Sequence, residues 1–546
     1  MKQISATDAA SLKRVLEPPQ GENSLQRSIN WTGAFWVASG VPALVLFSIG
    51  AIAATVGQPA YLIWIVSIVM GFFQAFIYAE IAGLFPNKSG GASVYGAIAW
   101  VRYSKFIAPI SVWCNWFAWS PVLAIGSGLA AGYILTGLFP ADALINTWQF
   151  TLLDLDIVGK GLTLRLNATS IVGAVILLAC FAVQHRGLSG FAKLQAVLGL
   201  AALFPLTIIG LVPLLTGDMP SSHFVPLLPL AHDVKGAVIF GSWNMAGWTL
   251  MAGGMFIAAW STYGFETAVC YTSEFKDPKK DVFKAIFFSG LLCLAIFTLV
   301  PLAFQGVLGL DGMLDKGIYD GSGVAKAMAH MIGGGILVQN VIVIMLILAL
   351  VLAIMTSMGG SSRTLYQAAY DGWLPKYLTR VNSHGAPTAA MWTDLGFNLI
   401  LLLMSDYVMV LAMSNVGYII FNFLNLQAGW IHRIDRKHRE RPYKTKNIMI
   451  VFGAFLGFVN LAFMGLGADI WGVGTLRNGL IFASLIVPVF LFRHYVQDKG
   501  VFPSSMAEDL ELEEAQLTNR AGLWPFVALA AGIAVVWVCH SIAVLP

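Results

Sequence analysis

One pattern runs through the whole chain: mostly apolar stretches of about 18 to 25 residues recur from residue 33 almost to the C-terminus, the length at which an α-helix crosses roughly 30 Å of hydrocarbon. Hydrocarbon supplies no partner for backbone N–H and C=O groups, so such stretches must satisfy those groups internally, as helices. Composition agrees: 58% of the 546 residues are hydrophobic and only 11% are charged, against roughly a quarter charged in a soluble domain. The expected fold is an all-α polytopic membrane protein. Its spans lie at about 33–56, 60–84, 106–138, 167–184, 191–216, 245–273, 284–308, 334–370, 388–404, 408–430, 448–468, 474–492 and 523–543, numbered one to thirteen below.

Lysine and arginine favour the cytoplasmic side of short loops. With an inward N-terminus, most of the 32 basic residues fall on that side, many of them between Arg433 and Lys446. Only Lys160, Arg165, Lys235, Lys316, Lys326 and Arg477 fall on the other. The sequence therefore predicts an integral protein of the cell (plasma or inner) membrane with a cytoplasmic N-terminal tail over 1–30. That tail is polar and has no apolar h-region, so no cleavable signal peptide is expected. The net charge of +4 sums basic loops and a local acidic run, and implies the lipid bilayer as surroundings, with no nucleic-acid partner. Cys114, Cys180, Cys270, Cys293 and Cys539 all fall inside spans without metal-ligand spacing and read as small buried hydrophobes.

Two spans carry helix-breaking sequences. Span one contains Ser39-Gly40-Val41-Pro42, whose proline removes a backbone donor and crowds the preceding turn. Span six contains Ser261-Thr262-Tyr263-Gly264-Phe265-Glu266, small polar residues with a glycine and a carboxylate. With five spans in each half, the breaks hold equivalent positions, as an inverted repeat requires, and transporters break helices in this way near the membrane midplane. A carboxylate inside a span is costly. Glu266 is thus a coupling residue that exchanges a proton, a partner for a substrate amine, or a structural cap on freed amides. Glu80 and Asp371 sit near span ends, where snorkelling or pairing with a basic neighbour accounts for them, and Asp394 reads as packing polarity in span nine. Trp113, Trp116 and Trp119 recur at helical spacing, a core stripe.

Four strings resemble the amino acid–polyamine–organocation (APC) superfamily. Ala79-Glu80-Ile81, Phe85-Pro86 and Ser89-Gly90-Gly91-Ala92-Ser93-Val94-Tyr95 follow span two. Gly264-Phe265-Glu266 leads to Glu274-Phe275-Lys276-Asp277-Pro278-Lys279-Lys280-Asp281. Ser362-Arg363-Thr364-Leu365-Tyr366 and Asp371-Gly372-Trp373-Leu374-Pro375-Lys376 follow span eight, and Arg441-Pro442-Tyr443-Lys444 follows span ten. The resemblance runs from about residue 25 to 495 and implies a LeuT-type 5+5 inverted repeat with additional C-terminal helices, about 12 to 13 in all. A permease domain over 31–495 would then comprise a first repeat (33–216), a second repeat (245–430) and peripheral helices (448–492), followed by an acidic linker (496–522) and an extra membrane helix (523–546).

The resemblance also implies a secondary active transporter that moves amino acids or related amines by alternating access, not an enzyme. Substrate would be bound by Ser39, Gly40, Val41, Pro42 and Ala43 of span one and by Thr262, Tyr263, Gly264 and Phe265 of span six, with Trp260 as an aromatic lid and Ser414, Asn415 and Tyr418 as further polar lining. Helix termini explain the complementarity, positive at N-terminal and negative at C-terminal ends. Span one departs from the family's Gly-Ser-Gly or Gly-Thr-Gly triplet with Gly40-Val41-Pro42-Ala43, which leaves fewer donors for a carboxylate and favours amines or atypical amino acids. No cofactor or other metal is expected beyond a coupling ion, H+ or Na+. Ala353, Thr356 and Ser357 are similar to the A-x-x-T-S pattern of sodium sites, while Ala202 corresponds to the span-five position where sodium-independent relatives carry lysine. Exchange is the third coupling mode. A polyamine permease on the same fold and a non-transporting receptor are the alternatives.

Residues 503–521 include Glu508, Asp509, Glu511, Glu513 and Glu514 and read as a solvated linker. The small residues Ala528-Leu529-Ala530-Ala531-Gly532 would permit close helix packing or oligomer contacts. Asn167-Ala168-Thr169 is a glycosylation sequon too close to span four to be used.

Overall fold

The computed structural model describes residues 25, 27–140, 142–232, 237–333, 335–509 and 521–545. Among them ten helices are long and apolar enough to cross a membrane: Trp31–Val56, Ala60–Gly83, Ala108–Leu138, Gly190–Thr216, Pro278–Met313, Ile336–Tyr370, Tyr407–Asp435, Asn447–Trp471, Thr475–Gln497 and Trp524–Ile542. The other three expected spans are also helical but shorter or interrupted. Span four is Ala168–Gln184, span nine is Thr388–Leu401, and span six is Met245–Thr262 continued by a 3-10 segment, Gly264–Glu274.

The packing partners of the two halves correspond. Span two packs along span seven, and span three along span eight. Span five lies against spans seven and eight, as span ten lies against spans two and three. Exchanging spans one to five with six to ten maps this set of contacts onto itself, which is the relation an inverted repeat produces. Span eleven covers spans six and ten from outside, and span thirteen packs on span eleven. Gly532 makes that approach possible: a Cβ there would lie 2.9 Å from both Leu461 and Phe423, so this small-residue face packs within the chain.

Two hairpins escape the helical periodicity. Strand β1 (Gln149–Asp154) pairs antiparallel with β2 (Thr163–Asn167), and β3 (Leu230–His232) with β4 (Val238–Phe240). Both follow odd-numbered spans and stand at the same end of the bundle. Asn167 closes β2 and caps span four, its side chain accepting from Ser170 N at 2.8 Å. The sequon asparagine therefore has a structural task.

The opposite end is laced by ion pairs. Glu80 accepts from Arg433 (2.6 Å), Arg441 (3.1 Å) and the Thr445 amide (2.8 Å). Lys88 bonds both Asp371 and Asp509, and Arg363 pairs with Glu274 above the Tyr271 ring. Glu80 and Asp371 are thus buried and paired, which excludes snorkelling. Asp498 joins Arg493 (2.6 Å) and Lys376 (2.9 Å). Within the acidic stretch, Ser504–Asp509 forms a helical turn whose Met506 is buried; Glu511, Glu513 and Glu514 lie outside the described residues, as does most of the N-terminal tail. Four of the five cysteines are buried, and Cys539 is half-buried.

Candidate functional site

Span one breaks where its sequence dictates. A helix Trp31–Val37 gives way to a turn, then to a 3-10 turn Val41–Leu44 with Pro42 in its first residues, and the helix resumes at Val45–Val56. Gly40 lies hard against span eight. A Cβ at this position would sit 2.4 Å from the Leu352 carbonyl oxygen and 2.5 Å from the Thr356 hydroxyl, so no larger residue fits without moving backbone. The Gly40 amide donates to Thr356 Oγ1 (3.1 Å), which itself donates to the Val37 carbonyl (2.7 Å).

The second break faces the first. Span six ends as an α-helix at Thr262 and continues as a 3-10 segment from Gly264. A Cβ on Gly264 would meet the Trp119 ring at 2.8 Å and Val41 at 3.0 Å, which places span three, span one and span six within contact of each other. Two residues on, Glu266 is buried. Trp119 Nε1 donates to Glu266 Oε1 at 3.2 Å, the Ala92 amide also faces the carboxyl, and Oε2 makes no hydrogen bond of ordinary geometry among the described residues. Tyr418 of span ten stands edge-on to Trp119, with ring centroids 5.3 Å apart, and its buried hydroxyl is also without a partner. Trp260 donates to the Ala118 carbonyl (2.7 Å) and lies between Phe47 and Trp119. All these residues are buried, as are Ser39, Gly40, Pro42 and Ala43.

The structure therefore gathers Val41, Trp260, Gly264 and Glu266 with Trp119 and Tyr418. It turns other expected residues away from this point. The Ser39 hydroxyl bonds its own helix at Trp36 O (2.6 Å). Thr262 bonds Ser67 (2.7 Å) and Ala258 O (2.9 Å). Tyr263 reaches Asn460 of span eleven (3.0 Å), and Phe265 lies against Phe72 of span two. In span ten, Ser414 bonds Leu411 O and Asn415 bonds Phe256 O. Asp394 ties span nine to its neighbours by accepting from Trp116 (2.8 Å), Ser120 (2.5 Å) and Ser361 (2.5 Å).

The expected cation site is divided. Thr356 faces the span-one break, but Ser357 donates to the Trp119 carbonyl (2.6 Å) on the span-three side. From span five, the residue that reaches Thr356 is Gln195, not Ala202. In the amide orientation that satisfies both its ends, Gln195 donates to Trp36 O (3.2 Å) and Val37 O (2.8 Å) and accepts from the Thr356 amide (3.1 Å). A neutral N–H donor thus engages the Trp36 and Val37 carbonyls beside Thr356. Seven residues, two helical turns, separate Gln195 from Ala202 on one face of span five.

The sequence profile of the family described as Amino acid permease, within the APC superfamily, matches residues 29–491. The chain belongs to this family. Polyamine transporter PUT1 of Oryza sativa subsp. japonica is 23% identical over 457 residues, 82% of this chain and 75% of the relative. Branched-chain amino acid permease BcaP of Lactococcus lactis subsp. cremoris is 22% identical over 446 residues, 80% and 88% of the two chains. An arginine/ornithine antiporter of Pseudomonas aeruginosa is 24% identical over 346 residues, 62% and 63%. This permease is accordingly an integral membrane transporter, and its family is one of carriers rather than enzymes.

Proposed function

We propose that this permease is a proton-coupled carrier of amino acids or related amines, recognised first through the substrate's ammonium group and moved by alternating access about the facing breaks of spans one and six. The observation that carries this reading is the buried Glu266 carboxylate, with one oxygen free of any ordinary hydrogen bond among the described residues, at the span-six break. An ammonium group complements that carboxylate, whose other oxygen is held by Trp119 Nε1. The same carboxylate can hold a proton when substrate is absent, which couples the two. The names of the relatives, a polyamine transporter, a branched-chain amino acid permease and an arginine/ornithine antiporter, support amino compounds as the substrate class.

Sodium coupling has less support, because the Gln195 amide takes the span-one carbonyls next to Thr356 and Ser357 points elsewhere. The ion-paired end, rich in lysine and arginine, is assigned to the cytoplasm of a cell membrane by the positive-inside preference. The test is uptake of radiolabelled leucine, arginine and putrescine into proteoliposomes, with pH and sodium gradients imposed independently. Because proton and ammonium take turns on one carboxylate, accumulation should follow an outward proton gradient, with the vesicle interior acid, and ignore sodium, and Glu266→Gln should flatten its pH dependence. Accumulation driven by sodium, or an unchanged pH profile in the variant, overturns the proton reading. Silence across all three compounds favours the receptor alternative.

A further inference from the structure

A second cleft opens at the end of the molecule opposite the ion pairs. It has a volume of about 290 Å³, near the lower limit of small-molecule pockets, which run from ~300 to 1,000 Å³. Its rim carries one charge of each sign from different elements: Arg165 of β2 and Asp320 of the loop between spans seven and eight. Arg165 bonds two neutral acceptors, Gln149 Oε1 and the Ser405 carbonyl, both at 3.2 Å, which leaves its positive charge uncompensated and further N–H groups available. Asp320 accepts the Ser322 amide at 2.9 Å and no other hydrogen bond among the described residues. Neither is ion-paired among the described residues. Between them, Leu129, Leu402 and Val410 give the cleft an apolar lining.

The walls are held in place. The Arg165 amide donates to Leu403 O (2.7 Å) and Ser405 N to Thr163 O (2.9 Å), which binds β2 to the span nine–ten turn. On the other wall, Tyr133 donates to Gly321 O (2.8 Å), next to Asp320. Gly321 has φ of +76°, and a Cβ there would strike the Tyr407 hydroxyl at 2.8 Å, so Asp320 sits on a turn that only glycine closes.

We propose that this cleft is a second binding site, specific for a free amino acid zwitterion with an aliphatic side chain: carboxylate on Arg165, ammonium on Asp320, side chain against Leu129, Leu402 and Val410. An inorganic anion would leave Asp320 unpaired and repelled, and a simple amine would leave Arg165 unanswered. None of the cleft's lining residues belongs to the central breaks.

The test is calorimetric titration of the purified full-length Glu266→Gln chain, whose central site has lost the carboxylate that would take an ammonium group, in lipid nanodiscs with L-leucine, isoamylamine and 4-methylpentanoate. These are the zwitterion and its two single-charge analogues. L-leucine should bind and both analogues should bind at least ten-fold more weakly, and Arg165→Gln and Asp320→Asn should each weaken L-leucine at least ten-fold. The Glu266→Gln chain should keep this binding while its uptake loses pH dependence, which separates failure of this site from failure of the central one. Absence of L-leucine binding to the Glu266→Gln chain, unchanged binding in both rim variants, or equal binding of either analogue overturns the proposal.

Discussion

The two helix breaks face each other and yet are built oppositely. At the span-one break every backbone amide is already engaged: Ser39 N with Trp36 O, Gly40 N with Thr356, Val41 N with Ala38 O and Ala43 N with Gly40 O, while Pro42 has none to give. At the span-six break a carboxylate oxygen beside two aromatic rings makes no ordinary hydrogen bond among the described residues. One break is a neutral wall pinned to spans five and eight; the other carries the charge. The difference teaches that the charge of the central site resides in span six, which is what the proposed recognition of a substrate by its positive end requires.

The hardest blow to this asymmetry is Gly264→Leu. The added side chain has to displace Trp119 and Val41 from where the breaks meet, so uptake should fall to background, at least a hundred-fold, while membrane fractionation finds normal insertion. Retained uptake would disprove that the breaks meet at Gly264. Gly40→Ala probes the neutral wall. With its new methyl 2.4 Å from a backbone oxygen, it should lower stability by about 1–3 kcal/mol, seen as a lower melting temperature in detergent, and slow uptake through misalignment rather than loss of a ligand. A Gly40→Ala chain with unchanged melting but no uptake would give span one a direct binding role.

Gln195→Met is gentler. Removing the amide takes one donor from the Val37 carbonyl, which keeps Thr356 Oγ1, for an expected cost of about 0.5–1.5 kcal/mol in thermal unfolding, and uptake should remain indifferent to sodium. If sodium now accelerates uptake, the amide was holding a cation's place. The smallest effect separates transport from stability. Asp498, outside the spans, is partly buried, which opposes its charge, but hydrogen bonds from Lys376 and Arg493 hold its carboxyl below the ordinary carboxylate range. Such a group adds stability at pH above its unfolded value of about 3.9 and loses it only as pH falls through the lower folded value. Thermal melts of Asp498→Asn and the unmodified chain should therefore differ by the same small amount from pH 8 to pH 5 and converge only in stronger acid. A change in uptake between pH 8 and 5 then belongs elsewhere.

Much of this was legible in the residues. Apolar length gave the spans, and Gly40-Val41-Pro42 and Gly264 through Glu266 marked both breaks, because proline and glycine act on the backbone locally. Side-chain direction was not legible. Nothing local distinguishes the inward Thr356 from Ser357 one residue on, or tells that Tyr263 and Phe265 face spans eleven and two, since each neighbour in an α-helix turns by roughly 100°. Trp119 read as core because its stripe with Trp113 and Trp116 has core spacing; its bond to Glu266 depends on a contact 147 positions away. The β1–β2 hairpin escapes a reading by apolar length because its strands are short and mixed in polarity: Thr163-Leu164-Arg165-Leu166-Asn167 alternates as a strand does, but runs straight into the apolar span four.

That hairpin has a practical consequence. β1 is exposed along its whole length, and the tip beyond it presents Lys160 and a highly exposed Ile157. A trypsin cut after Lys160, or an antibody raised against the tip, reaches only those molecules whose hairpin faces the outer solution. In reconstituted vesicles the cleaved fraction counts how many carriers are inserted each way round, so the imposed gradients acquire a known direction for each molecule.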